Sequence, residues 1–233
     1  MSSTRLRPVI AIDGPAGAGK STVARAVADR LGYVLVDTGA LYRGVALAAR
    51  ERGVSWDDAD ALGALARGLD LDFTLGEGGA PQLRLDGIDR SDEIRTPSIA
   101  EGASAVSRHP SVRDALLGLQ RRLGEDGGVV LEGRDIGTVV FPDAEVKIFL
   151  TASPHERARR RVGDLRQRGQ EADASAVLAA LEARDRQDSS RPVAPLRPAE
   201  DAVHLDTTEL SFDEVVGGVL ELVHARARGA ESP

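Results

Sequence analysis

VIAIDGPAGAGKST, residues Val9 to Thr22, divides into three pieces with different physical demands. Val9, Ile10 and Ile12 form a short β-branched run that reads as a buried strand. Gly14, Gly17 and Gly19 open a turn in which backbone N–H groups can point inward without Cβ clashes. From Lys20 onward the pattern is helical, so the turn empties onto a helix N-terminus with its positive dipole end. Strand, glycine turn and helix in this order make an anion cradle.

The spacing Gly14-x-x-x-x-Gly19-Lys20-Ser21 is the P-loop pattern. Its lysine reaches β- and γ-phosphate oxygens and its serine hydroxyl can ligate Mg²⁺. Lys20 and Lys147 are the only lysines in a chain of 233 residues with 30 Lys and Arg together. Arginine serves elsewhere, so lysine at this position indicates a need for a compact point charge.

At 42% hydrophobic residues the chain can bury a sizeable core, and alternating strand and helix patterns predict one α/β domain with insertions. There is no cysteine, and His109, His155, His204 and His224 are scattered without ligand spacing, so metal is expected only with a nucleotide. A formal charge of −7 argues against non-specific nucleic-acid binding. The apolar run at the N-terminus is too short for a signal peptide and no stretch is long enough for a membrane span, so a cytoplasmic protein without a membrane partner is expected.

Along the chain, Val23, Val27 and Leu31 predict a helix from Lys20 to Leu31 closed by Gly32, then a strand from Tyr33 to Val36. Asp37 or Thr38 caps the next helix, placing Arg43 one turn in, at the strand edge where open parallel sheets bind ligands. Ser55 and Asp58 predict a capping box for a helix to about Arg67. Leu69–Leu75, Gln82–Asp86 and a third short strand after Gly87 predict an antiparallel insert, with a turn at Gly76–Gly79 and too few apolar residues for its own core. Thr96-Pro97 starts a helix that ends before His109-Pro110, and another runs to about Glu125.

Val129–Leu131 is an apolar strand that runs into Glu132-Gly133-Arg134-Asp135. Charges at a buried strand's end must meet a ligand, a metal or each other. Val146–Leu150 is the next strand. The helix after it has a narrow stripe of Ala158, Val162 and Leu165 and a basic opposite side with Arg157, Arg160 and Arg161 on one face. Six arginines against two acids between Pro154 and Gly169 give a local net of +4. That run is either a solvated face or a lid closing over a polyphosphate. Val177, Leu181, Arg184 and Asp188 share an inward helical face ending near Pro192; Val203–Leu205 is the last strand, and Ser211 and Glu214 box a final helix. A GTPase would need a guanine-reading Asn-Lys-x-Asp, which is absent, so a small P-loop kinase with an arginine-lined acceptor pocket remains.

Four further stretches, DTGALYR at 37–43, EIRTPSIAEGASAVS at 93–107, EGRDIGTVVFPDAEVKIFLTAS at 132–153 and RDRQDSSRPVAPL at 184–196, together with the phosphate loop, make the chain resemble the bacterial cytidylate kinases of the nucleoside monophosphate (NMP) kinase group. The resemblance implies a P-loop NTPase fold of α/β class: a five-stranded parallel sheet with flanking helices, a small antiparallel NMP-binding insert and an arginine-rich lid. It implies one kinase domain over residues 1–233, with core 5–52, 110–153 and 192–228, insert about 53–109 and lid about 154–172.

It also implies γ-phosphoryl transfer from MgATP to CMP and dCMP by a monomer with no nucleic-acid partner. Gly14, Pro15, Ala16, Gly17, Ala18, Gly19, Lys20, Ser21 and Thr22 would bind ATP, with Ser21 on Mg²⁺; Lys20, Arg157, Arg160 and Arg161 would be catalytic. Arg43, Arg134 and Arg191 would hold the acceptor phosphate, Arg184 and Asp188 the ribose, and Ser104, Arg113 and Asp135 the base, with Thr38, Tyr42 and Glu132 also at the CMP site. Glu132 stands where many relatives have aspartate, and it either reaches the metal through water or buttresses Arg134.

Overall fold

A computed structural model describes residues 5–75, 81–167 and 169–230; the expected turn at Gly76–Gly79 lies outside them. Contacts divide the chain into two compact units, one of Met1–Leu35 with Asp126–Pro233 and one of Val36–Glu125.

The first unit is built on β1 (Val9–Asp13), buried along its whole length because neighbours flank it on both edges. β6 (Val129–Gly133) and β7 (Val146–Thr151) both run parallel to it, with Ile12 opposite Glu132 on one side and Ile148 on the other. β8 (Val203–Asp206) adds in parallel beyond β7. With β2 (Val34–Asp37) the five-stranded parallel sheet has the order β2-β6-β1-β7-β8. The chain leaves β1 toward one edge and later returns on its other side, so the carboxyl end of β1 lies at a switch point, where such sheets bind ligands.

Helices α1 (Lys20–Leu31) and α8 (Phe212–Ala230) cover this sheet. Val23 and Val27 of α1 and Val216, Val219 and Val223 of α8 share a core with Ile10, Val130 and Ile148. Gly32 closes α1 in the left-handed conformation, and Ser211 and Glu214 form the expected box at the start of α8, with Ser211 N–H donating to Glu214 Oε2 at 2.8 Å. α6 (Pro154–Gln167) and α7 (Ala174–Ser189) pack on each other through Ala158 and Leu181.

The second unit contains α2 (Thr38–Glu51), α3 (Ala59–Gly68), α4 (Pro97–Val106), α5 (Pro110–Arg122) and an antiparallel sheet of β3 (Leu71–Leu75), β4 (Pro81–Leu85) and β5 (Ile88–Asp89). Two expectations change here. Ser55 does not cap α3: Asp58 does, accepting from Ala61 N–H at 3.0 Å, while Ser55 Oγ accepts from Asp57 N–H in a local turn. The insert also does not lack a core, because α2 and α5 join it. Leu41, Val45 and Leu47 of α2 and Val112 and Leu116 of α5 are buried with Leu62, Leu83 and Ile99. Close packing enforces the arrangement: a Cβ on Gly44 would sit 2.9 Å from Leu71, and one on Gly102 would sit 2.5 Å from the Trp56 ring.

Candidate active site

The glycine turn takes the conformation its sequence demands. Gly14, Gly17 and Gly19 have φ of 150°, 77° and 92°, all positive values that penalise a side chain. At Gly14 space excludes one as well, since a Cβ would lie 2.0 Å from the Leu150 carbonyl oxygen of β7. α1 starts directly at Lys20 with left-handed Gly19 before it, and no N-cap side chain takes the N–H groups of its first turn.

Lys20 is only 6% exposed. Its Nζ donates to the Pro15 carbonyl at 2.8 Å, folding the side chain back along the loop. Burial, followed by repulsion from Arg134, pulls its pKa down to about 7, with Glu132 opposing the shift. Ser21 and Thr22 are exposed in the first turn of α1.

Past the end of β6, the arginines are organised by one anion. Asp188 of α7 is fully buried; its Oδ2 accepts from Arg134 Nε at 3.0 Å, its Oδ1 accepts from Arg191, and Arg184 Nε stands 4.0 Å from Oδ2. The charged strand end is therefore paired, but with a helix more than fifty residues away rather than between Arg134 and Asp135. Glu132 and Asp135 are buried beside it. Glu132 acts electrostatically on Lys20 as an opposing charge.

The arginine face of α6 lies against the phosphate loop instead of in solvent. Arg157, expected on an outer basic side, is buried: it donates to the carbonyls of Ala152 and Ala16, each at 3.0 Å, and pairs with Asp185 at 2.7 Å. Arg160 donates to the Ala18 carbonyl at 3.4 Å, to Thr207 Oγ1 at 2.9 Å and to the Thr207 carbonyl at 2.7 Å. Two arginines thus occupy two carbonyls of the glycine loop. Glu156 holds Arg159 and Arg160 at 2.7 and 2.8 Å, and the bond from Arg159 leads in pulling its pKa down to about 2. Arg161 is half-buried.

Val36–Glu125 carries the remaining candidates. Asp37 caps α2 through Ala40 N–H at 3.2 Å and pairs with Arg43 at 3.4 Å. Arg113 is buried on α5; it donates to the Ser107 carbonyl at 3.2 Å, and its guanidinium lies 5.5 Å from the centre of the Tyr42 ring. Thr38 is buried at the start of α2, and Ser104 is half-buried on α4.

Comparison with known proteins bears on what such a set does. The family described as cytidylate kinase matches residues 10–225. The chain belongs to the cytidylate kinase family. A protein named cytidylate kinase from Geobacter sulfurreducens is 50% identical over 220 residues, covering 94% of each chain. Another of that name, from Syntrophotalea carbinolica, is 51% identical over 218 residues, covering 94% of this chain and 92% of its own. Among solved structures, an uncharacterised protein from Eubacterium ventriosum superposes with a TM-score of 0.53 at 11% identity, over 94% of this chain and 99% of its own. That last likeness concerns the fold alone.

Within this cytidylate kinase family member, two residues that the sequence reading passed over stand out. Asp185 pairs with Arg157, and its helical spacing from Leu181 was the available signal. Asp13, a carboxylate closing an otherwise apolar buried strand, accepts from the N–H groups of Ile136 and Gly137. Burial pushes its pKa up to about 6 against those two bonds.

Proposed function

We propose that the chain transfers the γ-phosphoryl group of ATP to CMP and dCMP, giving ADP and CDP or dCDP. The observation that carries this reading is the joint presence, in one compact unit, of a phosphate loop with a buried lysine and an arginine set gathered on Asp188. A polyphosphate donor and a monophosphate acceptor each need such cations.

On this reading Lys20 meets the β- and γ-phosphates, and Arg43, Arg134 and Arg191 meet the acceptor phosphate. Arg184 and Asp188 address the ribose. Cytosine offers acceptors at O2 and N3 and a donor at N4, which suits Arg113 and Ser104 as donors and Asp135 as acceptor. Uracil reverses the pattern at N3 and position 4, leaving buried polar groups unpaired, so CMP is preferred over UMP. Thr38, Tyr42 and Glu132 line the acceptor site.

The acceptor oxygen is already ionised, so no general base is required and the protein contributes position and charge. Arg157 and Arg160 act first on the loop's carbonyls, and Arg161 supplies charge directly. The exposed Ser21 hydroxyl, a hard oxygen donor beside the loop, suits Mg²⁺ brought in with the nucleotide; the ion would neutralise charge on the phosphates. No helix among the described residues is long and apolar enough to cross a membrane. Release of ADP, followed with CMP, dCMP, UMP, AMP and shikimate as acceptors, tests the proposal: CMP and dCMP should dominate, and equal rates across the panel would refute it.

A further inference from the structure

We infer that Asp13 is a positioning residue for the acceptor side of the reaction: its two carboxylate oxygens fix the turn that presents Arg134 and Asp135 to the strand that carries the phosphate loop. This rests on the proposed roles of Arg134 and Asp135.

Asp13 is the last residue of β1, opposite Gly133 on β6 and Phe149 on β7, and Gly14 of the phosphate loop follows it directly. Its Oδ1 accepts from Ile136 N–H at 2.9 Å and its Oδ2 from Gly137 N–H at 2.8 Å. These are the first two N–H groups of a single π-helical turn, Ile136–Val140, and the flanking Asp135 side chain makes no capping bond there. The Asp135 carbonyl accepts from Val139 and Val140 N–H at 2.9 and 3.2 Å. The turn is therefore anchored at its start by a residue from another strand and closed by its own backbone.

An ionised carboxylate is the side chain that offers an acceptor to both N–H groups at once. Asparagine keeps the shape, yet its amide nitrogen would face an N–H with another N–H. Electrostatics also acts here, on the donor side: the Asp13 charge opposes the fall in the Lys20 pKa and so helps keep that lysine protonated. Removing that charge would therefore act on Lys20 and on the ATP phosphates it is proposed to meet. Weaker CMP binding on its removal would have to come from geometry.

Asp13→Asn should raise KM for CMP roughly 10- to 100-fold, the loss of one charge-assisted bond expressed as affinity, while KM for ATP changes by a clearly smaller factor. Hydrogen exchange at the Ile136 and Gly137 amides should accelerate by a similar factor, a readout that does not need the substrate assignment to be right. Gly137→Ala keeps the carboxylate and serves if Asp13→Asn does not fold. Its Cβ would lie 3.2 Å from the Lys147 side chain, so either that side chain or the turn must give by a few tenths of an ångström beside the anchor, and KM for CMP should rise by a smaller factor than in Asp13→Asn. Unchanged amide exchange in Asp13→Asn, or a KM rise for ATP with none for CMP, overturns the inference. A wild-type enzyme that ignores CMP overturns the proposed function instead, and the exchange rates then decide the anchoring by themselves.

Discussion

Replacing Asp188 with asparagine removes a buried charge that Arg134, Arg184 and Arg191 share while keeping its volume. The Asp188 side chain is 1% exposed, Arg191 6% and Arg134 19%. Breaking a buried pair by deleting one partner costs about 3–5 kcal/mol, because the remaining charge stays buried without compensation. Partial exposure of Arg134 admits water, which puts the expected loss at the lower end, about 3 kcal/mol. Against a typical total of about 5–15 kcal/mol this is large, and it corresponds to roughly 6–12 °C in Tm for a protein of this size. Urea denaturation at neutral pH, with and without inorganic phosphate, provides the assay. Phosphate should stabilise the variant more than the wild type, because it enters an arginine set that has lost its internal anion and binds only the folded state. A loss below about 1 kcal/mol, or equal stabilisation of both proteins by phosphate, would show that Asp188 is not the arginines' organising charge.

Lys20→Ala should lower kcat by about 100-fold or more with a small change in KM for CMP, measured by steady-state kinetics on both substrates. Arg113→Met should raise KM for CMP roughly 10-fold or more and leave ATP nearly unaffected; equal damage to both substrates would point to a purely structural role over Tyr42. Glu156→Gln should cost about 1 kcal/mol in urea denaturation at pH 7, since Arg159 is well exposed and its bond is screened. The sign follows from a lowered pKa: the Glu156 contribution is present above its ordinary value of 4.5 and is lost as pH falls toward about 2. Asp13 has the opposite sign, because its folded pKa is raised from 3.8 to about 6. Ionised Asp13 costs folding free energy above pH 6, and that cost disappears as pH falls from 6 toward 4. The stability of wild type relative to Asp13→Asn should therefore rise by up to about 3 kcal/mol across that window.

The parts of the fold legible in the sequence were those set by local rules. Gly19-Lys20 opens α1 and Gly32 closes it, Thr96-Pro97 starts α4, and Ser211 with Glu214 starts α8, because capping and glycine conformation depend on a few adjacent residues. Local reading failed at Ser55, where two residues competed for one cap and Asp58 held the position nearer the helix. It failed again on the insert's core, because a count over residues 53–109 omits the apolar faces that α2 and α5 lend from either side in sequence. At the candidate site, the residue types were visible and their partners were not. Arg157 shares a face with Arg160 by helical spacing, but nothing local tells that this face meets the carbonyls of Ala16 and Ala18, some 140 residues earlier.

That contact changes the question put to the basic helix. A glycine loop presents N–H groups to phosphate only if its carbonyls are directed elsewhere, and a solvated loop of this composition has many conformations in which they are not. Arg157 and Arg160 each take one of those carbonyls, and Lys20 takes a third, that of Pro15. The three bonds differ in what a ligand does to them. Lys20 can exchange a neutral carbonyl for phosphate oxygens, a gain in charge complementarity that offsets the lowering of its pKa by burial. Arg157 also satisfies Asp185 and the Ala152 carbonyl from a buried position, so leaving its place would strand a carboxylate and two carbonyls. A phosphate could therefore draw Lys20 from its one carbonyl at less cost than it could draw Arg157 from its three partners. Neutralising Arg157 should accordingly damage ATP binding through the shape of the loop, and added salt, which screens exposed charges, should not reproduce that damage in the wild type.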